Sequence, residues 1–330
     1  LNILASTPVN TPVIGISARN SENIVTGVLD ESSIFRVCGE LGKYFTYTFS
    51  VPNMSLTSSL ETDGPLKQKD APQVTLDKNQ AYAAPMISEG ENYSWVVHNW
   101  EQSYHDEGRA NVPKSWSMSG MIYYVAPAFL EFFYKNASEN DYFYLDGGGV
   151  GDLNDPDKYG TMFEEQYRQQ ILDQQLALTR LLMQKMDMEV IRIFAPSKIS
   201  DNALKAYVKG IPELKAIYTG YNGEPGGIDA KAANNIVDGV PVFRGQVTVG
   251  LPDTLEIMAG YLVSGTRNAV QQTGSKPAFI NMFVLGNYMN ISDINKGSDV
   301  LNLAQEQLKD EVVFLRADVM ADLYMQQAAG

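Results

Sequence analysis

The chain is 330 residues long, 44% hydrophobic and 10% aromatic, which excludes a disordered polymer and allows one large domain or two ordinary ones. Its 25 basic and 39 acidic residues leave a formal charge of −14, which argues against nucleic acid and anionic membrane as partners, since both need a basic patch. A single cysteine, Cys38, rules out an internal disulfide or a cysteine zinc site, and two histidines, His98 and His105, rule out a histidine-rich metal centre.

In chain order, the sequence opens at Leu1 with no initiator methionine and no charged-then-apolar leader, so a processed or excised segment is expected. Val13 to Ile16 reads as a first strand, and Glu31 to Gly42 as weakly helical. Residues from about 50 to 79 are polar and rich in Ser, Thr, Pro and Lys, which predicts a long surface excursion within a single domain. Tyr82 to Ile87 is the second strand and exits into Ser88-Glu89-Gly90-Glu91-Asn92. Helical sequence from Tyr93 to His105 puts the two histidines on one face, solvated or catalytic. Arg109 to Ser119 reads as a loop carrying Trp116.

Pro127 to Asn136 is a short helix with its proline in the first turn. The third strand, Tyr142 to Leu145, stops at Asp146 and three glycines, with a second acid at Asp152. Phe163 to Met186, without Gly or Pro, is the strongest helical segment. Strands are then expected at Val190 to Ala195, Ala216 to Tyr221, Val240 to Arg244, Phe279 to Leu285 and Val312 to Leu315. Helices are expected at Asn202 to Lys209, Thr254 to Gln271, Val300 to Lys309 and Asp318 to Gln327.

Strands alternating with helices predict a parallel sheet with helical crossovers. The expected fold is α/β, a TIM-like (β/α) barrel of seven or eight strands with insertions; a doubly wound sheet is the alternative. No G-x-G-x-x-G opens a helix after the first strand and no phosphate loop occurs, so no cofactor is implied. No run of about 18 apolar residues is present, so no bilayer span is expected. Four N-x-S/T sequons, at Asn53, Asn92, Asn136 and Asn290, permit glycosylation in a eukaryotic secreted protein.

Several segments together resemble the family of glycoside hydrolases named for its Gly-x-Gly-Tyr-x-Tyr-Pro motif. Its aspartate-rich S-D-G-D-N segment is similar to Ser88 to Asn92 here, and an Arg…Pro-x-x-Trp segment to Arg109, Pro113 and Trp116. The helix leading into an N-D-Y-F strand matches Phe129 to Phe143, and the naming motif falls on Gly149 to Pro156. Later similarities are Tyr221-Asn222-Gly223, Val237 to Val242 with Arg244, and Phe314 to Asp318. The motif's two tyrosines are Asp152 and Asn154 here, one residue is inserted before Pro156, and the paired aspartates are glutamates. A carboxylate displaced by about 1 Å can cost around a hundredfold in rate. The resemblance implies a barrel acting on carbohydrate. It also implies an amino-terminal domain outside the given chain.

Glycoside hydrolysis needs two carboxyl groups flanking the scissile bond. Glu89, Glu91, Asp146 and Asp152, on two strand exits expected to be neighbours, are the candidate catalytic acids; Asn92, Arg109, Trp116 and Arg244 are candidate substrate contacts. Each also has a plainer reading. The glutamates cap the following helix, the aspartates serve a turn, Trp116 anchors the core, and Arg244 forms an internal ion pair. Two functions therefore stay open: a secreted hydrolase, or an inactive extracellular barrel that binds glycans or self-assembles as a glycoprotein.

Overall fold

The computed structural model describes residues 6–14, 28–29, 31–33, 35–37, 54–90, 93, 96, 100, 104, 107–153, 155–193, 199–220, 233–248, 255–284 and 297–330. Among these, strands β1 (Pro12–Ile14) and β2 (Phe35–Val37) form a separate two-stranded parallel sheet. The segment expected as the first barrel strand is therefore outside the barrel. Residues 35–37, expected as weakly helical, are instead β2, since Phe35 and Val37 suit a strand better than a helix.

The main sheet contains β3 (Ala81–Ile87), β4 (Lys114–Met118), β5 (Asp141–Leu145), β6 (Val190–Ile193), β7 (Ala216–Thr219), β8 (Asn235–Val237), β9 (Val240–Thr248), β10 (Ala278–Val284) and β11 (Val312–Phe314). Parallel pairing runs β3–β4–β5–β6–β7–β9–β10, and β10 pairs back onto β3. The result is a closed ring, as the alternation of strands and helices predicts. Short β8 pairs antiparallel with β9, and β11 pairs with the first half of β3 while β4 pairs with its last residues.

The helices are α1 (Met54–Thr57), α2 (Ile122–Val125), α3 (Pro127–Asn136), α4 (Glu165–Lys185), α5 (Asp201–Gly210), α6 (Leu255–Thr273), α7 (Gly297–Leu308) and α8 (Ala317–Ala329). Helix α5 begins where the Ser200 hydroxyl accepts from the Ala203 amide at 3.1 Å, a side-chain N-cap. Tyr93, Val96, Trp100 and Tyr104 are in helical conformation, as expected of that stretch.

Strand alternation sorts side chains into two cores. Ala83, Ile87, Trp116, Met118, Phe143, Leu145, Ile191 and Ile193 face outward and pack with the helices. Tyr82, Ala84, Met86, Tyr142, Tyr144, Val190, Tyr218, Phe243 and Phe279 face the lumen. Helix α8 shares this second core through Ala317, Met320 and Leu323, near the amino-terminal ends of the strands. The Tyr218 hydroxyl donates to Ala317 O at 2.9 Å and the Ser115 hydroxyl accepts from Ala317 N at 2.9 Å. Helix α8 thus fills the amino-terminal part of the lumen, and in barrels of this kind chemistry collects at the carboxyl ends of the strands.

Candidate functional site

Alternation along β5 turns Tyr142 and Tyr144 inward and carries Asp146, one residue past the strand, to the same face. Asp146 is fully buried. From the next strand, Arg192 donates from Nε to Oδ1 at 2.9 Å and from Nη2 to Oδ2 at 3.0 Å, while Gly147 N donates to Oδ1 at 2.8 Å. The guanidinium lies 4.1 Å from the Phe283 ring centre, so an ion pair is seated among aromatics. Tyr144 donates its hydroxyl to Ile87 O at 2.8 Å, and Asn281 Nδ2 donates to Thr219 O at 3.3 Å.

The glycines after Asp146 turn the chain sharply. Gly147 and Gly148 have φ of 76° and 73°, and a Cβ on Gly148 would meet Leu153 O at 2.5 Å. Gly148 N donates to Arg192 O at 2.9 Å, which ties the loop to β6, and the Tyr207 hydroxyl donates to Gly148 O at 2.5 Å. Asp152, on the same loop, is buried, with Oδ1 only 3.0 Å from where a Cβ on Gly147 would sit. Asp146 and Asp152 are thus brought together by one turn.

On β3, the exit loop is held just as closely. Glu89 has φ of 75°, a left-handed conformation uncommon for a non-glycine residue. Such strain persists only where the surroundings impose it. The cause is next door: Gly90 N donates to the Ser117 hydroxyl at 2.6 Å, Ser119 N donates to Gly90 O at 2.9 Å, and a Cβ on Gly90 would meet Ser117 O at 1.8 Å. Asp146 N in turn donates to Met118 O at 2.9 Å. Glu89 and Asp146 therefore flank the end of β4, with one strand between them instead of the direct adjacency expected from sequence.

Three of the expected substrate contacts lie elsewhere. Trp116 is on strand β4, not on a loop, and its ring points outward, 1% exposed, against Trp100 at 5.1 Å and Tyr104 at 5.4 Å. Its indole donates to Asp141 Oδ1 at 2.9 Å, so it has no free face for a sugar. Arg109 pairs with the same buried Asp141, donates to Asn136 O at 2.9 Å and covers the Tyr104 ring. Burial pushes the Asp141 carboxyl up, but Lys114, Arg109 and the hydrogen bonds from Ser138 outweigh this and hold it below its ordinary value. Arg244 follows lumen-facing Phe243 and turns outward, donating to Asn235 Oδ1 at 3.2 Å. These three residues are structural in this geometry, because each is committed to the outer face of the barrel wall.

Glu91 and Asn92, and the sequons at Asn53, Asn92 and Asn290, lie outside the described residues. Asn136 is exposed at the end of α3, with its amide donating to Phe132 O at 2.7 Å. Among the described residues no group of three or more His, Cys, Asp or Glu is placed to hold a metal. None of their helices is long and apolar enough to cross a membrane. Sequence reading missed Arg192, Tyr144, Ser117 and Asn281; the available signal was a charged residue at an inward position of an apolar strand, V-I-R-I.

No curated protein matches the chain. It is similar in structure to a putative hydrolase from Bacteroides thetaiotaomicron, at 21% identity and a TM-score of 0.77, covering 98% of this chain. The chain spans 59% of that protein's length. A putative polysaccharide deacetylase from Mycobacterium smegmatis shares the fold at 10% identity and a TM-score of 0.50, over 80% of this chain and 96% of the other. The model of the GxGYxYP putative glycoside hydrolase C-terminal domain matches residues 79–325, from just before β3 to within α8, and the chain belongs to that family.

Proposed function

We propose that the protein is a secreted glycoside hydrolase that cleaves a polysaccharide or glycan between two carboxyl groups at the carboxyl-end mouth of the barrel. The observation that carries this reading is the docking of both exit loops on the end of β4, through Gly90 to Ser117 and Asp146 to Met118. That arrangement sets Glu89 and Asp146 two strand spacings apart, roughly 10 Å along the wall. That backbone separation is compatible with the roughly 6.5 to 9.5 Å between carboxyl groups of inverting enzymes, which leaves room for a water between acid and sugar.

Asp146 accepts on both oxygens, which suits the base, and half-buried Glu89 takes the part of the acid. Glu91, two residues further on, and Asp152, on the Asp146 loop, complete the proposed acid set. The lumen's Arg192 is matched by Asp146, so a neutral glycan suits the mouth better than an acidic one. The exposed Asn136 sequon supports passage through a eukaryotic secretory route; a loss of mass on enzymatic deglycosylation tests it.

Cleavage of a panel of neutral polysaccharides by the parent, Asp146→Asn and Glu89→Gln proteins is the direct test. Loss of turnover in both variants is expected; full activity in both would sink the assignment. The closed Arg192–Asp146 pair favours one other reading, a barrel that binds glycans without cutting them. Binding without cleavage by the parent would select it.

A further inference from the structure

The geometry points to a second carbohydrate-binding site on the opposite face of the barrel, for a neutral sugar unit. A cavity of about 310 Å³ opens beside the first residues of β10, between the end of α6 and the carboxyl-terminal half of α8. It lies at the amino-terminal end of the strands, away from Asp146, which follows the last residue of β5. Its volume is at the small end of the roughly 300 to 1,000 Å³ range of small-molecule sites.

Three features fix the ligand class. None of the lining residues is charged, although the chain as a whole carries −14, so the cavity offers nothing to an ion. One wall is aromatic: Tyr324 is half-buried, and its ring makes T-shaped contacts with Phe279 and Phe243, each at 5.2 Å between ring centres. A ring braced in this way gives a flat apolar surface at low cost in side-chain entropy. The rim carries Gln272, Gln327 and Ser275, all exposed, whose amides and hydroxyl both donate and accept. Asn234 is already committed, with Nδ2 donating to Phe279 O at 2.8 Å and Oδ1 accepting from Arg244 N at 3.1 Å, and serves as a rigid wall. A pyranose has the complementary surface: an apolar C–H face for the tyrosine and a ring of uncharged hydroxyls for the amides.

The pocket's chemistry suits a neutral, many-hydroxyl ligand; its identification as glycan rests on the hydrolase reading. On that reading the site holds a polymer at a distance from the cleavage point, so shorter substrates gain nothing from it.

Saturation-transfer NMR and calorimetry with hexaoses of cellulose, mannan, xylan and chitin test the site in Glu89→Gln protein, which leaves the buried Arg192–Asp146 pair intact. At least one hexaose is expected to bind, and Gln272→Ala/Gln327→Ala is expected to weaken it about tenfold, the equivalent of roughly 1.4 kcal/mol. Those residues are exposed, so the double variant keeps the parent's thermal midpoint. Tyr324→Ala gives the same loss. Binding unchanged in both variants, or no binding by any hexaose, overturns the inference. Binding abolished only by a further change in the proposed acid set, Asp152→Asn, overturns it too, while leaving the hydrolase reading intact. Pocket-dependent binding by a parent protein that cleaves nothing preserves this site and sinks the hydrolase.

Discussion

Arg192 holds both oxygens of Asp146 from the neighbouring strand, and the pair is a buried charged layer in a lumen that also holds Tyr82, Tyr142, Tyr144, Tyr218 and Phe243. A buried pair of this kind contributes little against an apolar replacement, but removing one partner strands the other charge. Arg192→Gln is therefore expected to cost about 3 to 5 kcal/mol in urea denaturation. Arg192→Lys keeps the charge but loses the two-pronged geometry, and is expected to fall between parent and glutamine. Equal stability of all three proteins would mean that the pair is not formed.

The strained turn at Glu89 makes a prediction of opposite sign. Asparagine tolerates the left-handed region better than glutamate, so Glu89→Asn relieves backbone strain of order 1 kcal/mol while removing the carboxylate. Glycan cleavage is expected to be lost with no fall in thermal midpoint. Gly90→Ala does the reverse: its Cβ has only 1.8 Å to Ser117 O, so the loop must shift, and both stability and turnover fall. Turnover retained in Gly90→Ala would show that the docked loop does not position the site.

The barrel was legible because its strands are apolar runs bounded by turn residues and its helices are long and periodic; the strand of Asp146 and helix α4 are clear examples. Strand β4 was not, because K-S-W-S-M places serines on the lumen side, where they accept from Ala317 N and Gly90 N, and a half-polar strand reads as loop. Missing it made two acidic exits look adjacent and put Trp116 on a loop. Asp146 was legible as an acid at a strand end. Its partner was hidden, since only closure of β5 against β6 reveals that Arg192 faces it.

Trp116 separates a core residue from a sugar platform. Phenylalanine keeps much of the packing against Trp100 and Tyr104 but loses the indole donor to Asp141. Trp116→Phe is expected to destabilise by about 1 to 2 kcal/mol and to leave glycan affinity unchanged. A tenfold loss of affinity at unchanged stability would return this residue to the binding surface.

Asp141 ties the stability of the fold to pH on the acid side. Its carboxyl is pushed up by burial, but the opposing pull of Lys114, Arg109 and Ser138 leaves it below its ordinary value. A folded-state value depressed in this way contributes stability that is fully present above the unfolded value and lost as pH falls through the folded one. The parent is therefore expected to lose stability progressively below about pH 4. Asp141→Asn keeps the shape and the acceptor for Trp116 but leaves Arg109 and Lys114 buried without a counter-charge, at a cost of about 3 to 5 kcal/mol near neutral pH. Because its side chain no longer titrates, the variant loses less on acidification, and the two stability profiles converge toward low pH. Parallel profiles from pH 7 to pH 3, measured by urea denaturation, would remove Asp141 from the acid response.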